Sequence, residues 1–164
     1  VIFDPQPEVP AFHTSKEVLT IRGSQVYATY EIIPDTLDKI LSDLYTKHHE
    51  KALDGEVNVP VAPLKFTDIP ASTVERIKVL AKVYAQKRMD DFAAIKEYDN
   101  IGSACNYFNS NVALFKADAD KCIMIRDNTW TSFYTYFEAI VAGTENVPAS
   151  SAEIGTKLPE MVWD

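Results

Sequence analysis

Asp91, Asp99, Arg126 and Asp127 stand among aromatic residues in the second half of the chain: Phe92, Tyr98, Tyr107, Trp130, Phe133, Tyr136 and Phe137. Ionised groups in such company are costly to bury unless they are paired. They therefore mark either a reaction centre or a polar lock inside a helical core, and the residue types favour the lock. Arg126 carries five donors in a fixed fork. If its helix runs antiparallel to the one bearing Asp91, it reaches Asp91 or Asp99 and satisfies several donors at once. Removing one partner of such a buried pair costs about 3–5 kcal/mol.

Other groups with chemical potential read as ordinary surface or core. His48 and His49 precede Glu50, but adjacent helix positions point about 100° apart, so the two imidazoles do not face one centre. They fit a solvated helix end, where histidine suits the macrodipole. "ADADKC", residues 117–122, lacks the oxygens and glycine of a calcium loop. On a helix, Asp118 and Cys122 share a face while Asp120 points away, which gives solvated carboxylates beside a buried thiol. Cys105 and Cys122 form neither a CxxC nor a Cys/His cluster. A Ser or Cys nucleophile would need a base, and His13, His48 and His49 all lie far upstream. There is no GxSxG, HExxH or phosphate-cradling glycine loop. The reading is not an enzyme, with no cofactor and no metal.

These residues need elements to position them. The chain has 164 residues, 46% hydrophobic and 24% charged, enough for one folded domain or one with a small appendage. Its formal net charge of −8 without a basic run argues against a nucleic-acid partner. No apolar run reaches the roughly 20 residues of a membrane helix, so no membrane role is expected. The start, "VIFDPQPEVPAF", has no signal-peptide pattern, and the expectation is a soluble chain made in a reducing cytoplasm.

Three prolines in residues 1–12 predict an extended arm. The β-branched and aromatic run Val18 to Ile33, broken by "RGSQ", predicts a β-hairpin. Pro34-Asp35 opens a helix with Asp35 as N-cap and an apolar face of Leu37, Ile40, Leu41, Leu44 and His48, ended by Gly55. Residues 56–71, with Pro60, Pro63 and Pro70, read as a linker. The expected division is 1–71, holding arm, hairpin, helix and linker, and 72–164, a helical module.

In that module Ser72 and Glu75 form a capping box for a helix to about Glu97. Its stripe is Val74, Ile77, Ala81, Tyr84, Phe92 and Ile95. Asp99 caps a short helix, and "NSN" turns the chain into a long helix over about 112–141. Core positions there are Phe115, Ala119, Cys122, Trp130, Phe133, Phe137 and Ile140, with Gly143 as the stop. The tail has a helical turn after Ser151, and its Leu158, Met161, Val162 and Trp163 pack back. The aromatics Tyr98, Trp130, Phe133, Phe137 and Trp163 are core or interface, because the run 130–137 covers more than one helix face. The fold class is mainly α: a helical hairpin or bundle with an arm, β-hairpin and helix in front, α+β overall.

Residues 86–164 carry an ordered pattern: Asp91-Phe92-Ala93, Tyr98-Asp99, Ser103-Ala104-Cys105, Tyr107, Arg126-Asp127, Trp130, Gly143, Leu158-Pro159 and Trp163. This stretch resembles a module of tailed bacteriophages encoded near tail and tail-fibre genes. Asn106-Tyr107-Phe108-Asn109 is bulkier than the small residues of that module. The resemblance implies a virion or virion-assembly role without catalysis: a structural tail protein, associated with fibre or baseplate, assembled in the host cytoplasm. Its implied partners are other tail or tail-fibre proteins and further copies of itself. The alternatives are a tail-fibre assembly chaperone and, less favoured, a small enzyme using Cys105 or Cys122.

Overall fold

The computed structural model describes residues 2–3, 13–22, 25–34, 36–52 and 62–163, with side chains for 36–50 and 62–163. The expected arm over 4–12, the turn at Gly23-Ser24, the Asp35 cap, the Gly55 stop and the first half of the linker lie outside the described residues. What is described is mainly helical. Ahead of the helices, β2 (His13–Arg22) pairs antiparallel with β3 (Gln25–Pro34), in register from His13↔Pro34 to Arg22↔Gln25. Strand β1 (Ile2–Phe3) lies parallel on the other edge of β3.

Helix α1 spans Leu37–Ala52. Thr36 caps it, its Oγ1 accepting from the Lys39 N–H at 3.2 Å. Helix α2 spans Ala71–Ala94 and follows Pro70, whose carbonyl accepts from the Thr73 and Val74 N–H groups. The Ser72–Glu75 capping box does not form, because both residues already lie inside the helix. Glu75 instead pairs with Lys78 at 2.9 Å. Residues 95–97 wind off α2, with Glu97 at φ 64°, in the left-handed region that commonly closes helices.

Helix α3 (Ile101–Cys105) is capped by Asn100, one residue beyond the predicted Asp99. Asn100 Oδ1 accepts from the Ser103 N–H while Ser103 Oγ accepts from the Asn100 N–H, a reciprocal box. A 3-10 turn, Asn106–Asn109, leads to the 29-residue α4 (Ala113–Val141). Gly143, at φ 79°, ends it as predicted. Helix α5 (Ser151–Lys157) is capped by Ser150.

Two buried clusters organise the helices. The larger joins Leu37, Ile40 and Leu41 of α1, Ile77, Ala81 and Ala85 of α2, and Phe133, Phe137 and Ile140 of α4. Leu64, Phe66, Ile69, Val147, Ile154 and Leu158 close it. The smaller joins Met89, Phe92 and Ala93 of α2, Ile101, Ala104 and Cys105 of α3, and Cys122 and Ile125 of α4. The first half of α2 meets the second half of α4 and the reverse, so the long helices run antiparallel.

The clusters correct several expectations. The larger core crosses the 71/72 boundary: α1 and residues 64–69 belong to it, because Leu64, Phe66 and Ile69 bury their side chains between the prolines. Ile95 and Phe115, placed in the core by periodicity, are exposed at 69% and 41%, because neither is covered by a partner element. Val162 is likewise exposed, while Leu158 is buried and Met161 and Trp163 pack against the smaller cluster.

Candidate functional site

The predicted lock around Arg126 does not form. Arg126 bonds its own neighbour Asp127, Nε to Oδ1 at 2.9 Å, with both side chains substantially exposed. That bond holds the Arg126 guanidinium above its ordinary pKa. Asp91 pairs with Lys87 one turn earlier at 2.8 Å, again at the surface, and Asp99 is exposed. The reason is helical phase: Cys122, Ile125, Thr129 and Phe133 face inward on α4, which leaves positions 126 and 127 turned to water.

A polar lock exists, built from other residues. Asp118, read from sequence as solvated, is buried on the inward face of α4, one turn before Cys122. Lys96, just past α2, donates to its Oδ1 at 2.5 Å, and the Tyr98 hydroxyl donates to its Oδ2 at 3.2 Å. The Lys96 ammonium also lies 4.3 Å from the centre of the Trp163 ring. Trp163 stacks on Phe92, centroids 4.2 Å apart, and donates its indole N–H to the Phe92 carbonyl at 2.9 Å. One carboxylate thus ties α4 to the end of α2, and the same lysine draws in the tail. Nearby, Asp90 accepts from the Ile101 N–H at 2.9 Å and fixes α3.

Desolvation, followed by the bond to Asp118, raises the Tyr98 pKa. Burial pushes up both thiols, that of Cys122 to about 11. This is the opposite of nucleophile activation, which lowers a thiol's pKa. Both cysteines are buried in the smaller cluster, where short side chains let α3 and α4 approach closely. The His48 Nε2–H donates to the Ala62 carbonyl across 2.7 Å, and the His48 ring stands 80° from that of His49. Among the described residues no group of three or more His, Cys, Asp or Glu side chains is placed to hold a metal ion.

Of the predicted aromatics, Phe133 and Phe137 are fully interior and stack at 4.6 Å. Trp130 packs against both clusters, edge-on to Phe133. Tyr98 and Trp163 belong to the lock.

Exposed apolar side chains are spread over the described surface, Val79, Val83, Ile95 and Met124 among them, and two further places stand out. The first is the α3–α4 connection, where Tyr107, Phe108, Val112, Leu114 and Phe115 are 41–62% exposed and Tyr98, Tyr107 and Phe115 form a ladder of rings. The second is an open groove of about 450 Å³ between α2 and α4. It is lined by Tyr134 and Val141 with Glu75, Lys78, Lys82 and Glu138, and the buried Phe133 and Phe137 lie beneath it. Lys96 and Asp118 are the residues that sequence reasoning missed. The signal was present in the face that Asp118 shares with Ala119, Cys122 and Ile125, all of them buried. No protein-family model, no curated protein and no solved structure matches this chain.

Proposed function

We propose that this chain is a non-catalytic structural and interaction protein of a tailed-bacteriophage tail, associated with fibre or baseplate, present in several copies and docked on neighbouring tail subunits. The observation that carries the reading is the presence of large exposed apolar side chains at both ends of α4, the α3–α4 connection above all. Phe108, Leu114, Tyr134 and Val141 are 49–62% exposed, and such surfaces are contact surfaces for other proteins. The residues that resemble the phage module support it too. Phe92, Tyr98, Cys105, Trp130 and Trp163 are spent on holding α2, α3, α4 and the tail together. Among the described residues no helix is long and apolar enough to cross a membrane.

The test is a tryptic mass-spectrometric count of this chain in purified particles against the major tail protein. A fixed ratio of several copies is expected. Absence from particles, with the chain present in the infected lysate, would overturn the structural assignment in favour of an assembly chaperone.

A further inference from the structure

We infer that the end of α2 carries a binding site for a tryptophan side chain, and that residues 159–163 fill it as a releasable latch, a ligand tethered to its own receptor.

Three contacts recognise the indole, each suited to a different part of it. The Phe92 ring lies against its face, the centroids 4.2 Å apart and the planes 8° from parallel. The Phe92 carbonyl accepts from the indole N–H at 2.9 Å. The Lys96 ammonium stands 4.3 Å from the ring centre, a cation over an electron-rich face. Together they select tryptophan, since phenylalanine has no N–H to give and an aliphatic side chain has no face to stack.

The site is complete without its occupant. When the indole leaves, Lys96 keeps Asp118 at 2.5 Å and the Phe92 carbonyl keeps the Ile95 N–H at 3.3 Å. No polar group is stranded, so release costs apolar contact and little else. The occupant is held just as locally. Residues 159–163 have no regular structure, and among the described residues their hydrogen bond to the body is the indole's. Val162 is 54% exposed, and Met161 and Trp163 are only partly buried. Leu158, by contrast, is buried in the larger cluster, which fixes the hinge between it and Pro159. Opening there uncovers the Phe92 ring and leaves α5 and the Asp118 lock in place.

The experiment uses the full chain labelled with fluorotryptophan, whose two tryptophans, Trp130 and Trp163, give one fluorine resonance each. A synthetic peptide of residues 158–164 is the unlabelled competitor. The Trp163 resonance is expected to move to its solvated position, halfway at roughly millimolar peptide, the effective concentration set by a short tether. Trp130 packs against both clusters and is expected to stay where it is. The same peptide with alanine for tryptophan should compete about tenfold or more weakly. Trp163→Ala empties the site, and that chain is expected to fold and to bind the peptide saturably, with amide shifts centred on residues 92–98. A Trp163 resonance unmoved at roughly ten times the tether concentration would make the segment a fixed part of the core and overturn the latch. Trp130 and Trp163 moving together would do the same, because release would then require the clusters to open. A Trp163→Ala chain that is unfolded, or that folds and ignores the peptide, would equally rule out a separable ligand.

Discussion

The two clusters of this molecule are built on different principles. The larger is apolar and aromatic, with Phe133 stacked on Phe137 and Phe66 at 6.4 Å from the same ring. The smaller mixes Met89, Phe92, Ile101 and Ile125 with Ala93, Ala104, Cys105 and Cys122, residues too small to fill space by themselves. They bring helices close, and the remaining space is closed by a carboxylate with its two donors and by an indole. Bulk alone holds one end of the α2–α4 pair, whereas the other combines bulk with short side chains and one buried acid. Burial scales with area in the first. The second depends on every polar partner being present.

The comparison can be broken most directly in the larger cluster. Phe133→Ala is expected to cost about 4 kcal/mol, read from the urea midpoint, because the ring is fully enclosed. Asp118→Ala is expected to cost about 2–3 kcal/mol, less than a fully buried pair because Lys96 is one-third exposed. The distinguishing result is the double variant: adding Lys96→Met should recover at least half of that loss, since no unpaired cation remains. A double variant as unstable as the single would show that Asp118 acts by packing alone.

A gentler perturbation is pH. The Cys122 thiol stays protonated in the folded chain up to about 11, while an unfolded thiol ionises from about 8.5. Between those values the folded state binds more protons, so this group's contribution falls as pH rises, by about 3 kcal/mol at pH 11. Cys122→Ala should show a correspondingly flatter decline of stability from pH 8.5 to 11. The smallest expected effect is Arg126→Ala, below about 1 kcal/mol, because its bond to Asp127 is at the surface. A loss of 3 kcal/mol or more would restore Arg126 to the centre of the lock.

Much of the helical half was legible because its signals are local. Gly143 and the turn after Ser151 follow from residues beside them, and most of the apolar positions of α4 follow from periodicity. Caps moved by one or two residues: from Asp99 to Asn100, whose side chain takes the Ser103 N–H, and from Ser72 to Pro70, where the helix starts without any side-chain cap. Asp118 was misread because an aspartate reads as solvated, and its partners Lys96 and Tyr98 come from another element. Ile95 and Phe115 failed in the other direction: periodicity predicts which face is apolar, whereas covering depends on where the neighbouring element stops. The boundary at 71 failed because prolines mark a break in regular structure, and Leu64, Phe66 and Ile69 bury themselves within that break.

The segment around Lys65 bears on the order of assembly. Its ammonium donates to the Gly143 carbonyl at 3.0 Å and to Asn146 Oδ1 at 2.7 Å, and the Val147 N–H donates to the Leu64 carbonyl at 3.1 Å. The Lys65–Gly143 bond joins residues 78 apart, and the Asp38 carboxylate meets Ser151 across 113. Lys96 and Asp118, by contrast, are only 22 apart. Long loops are slow to close and short ones quick, so the smaller cluster is expected to nucleate folding while the larger one docks after the main barrier. Leu64→Ala should accordingly speed unfolding and leave the folding limb of the chevron nearly unchanged. The bulkier core, with its groove, then belongs to the last region to assemble and the first to open.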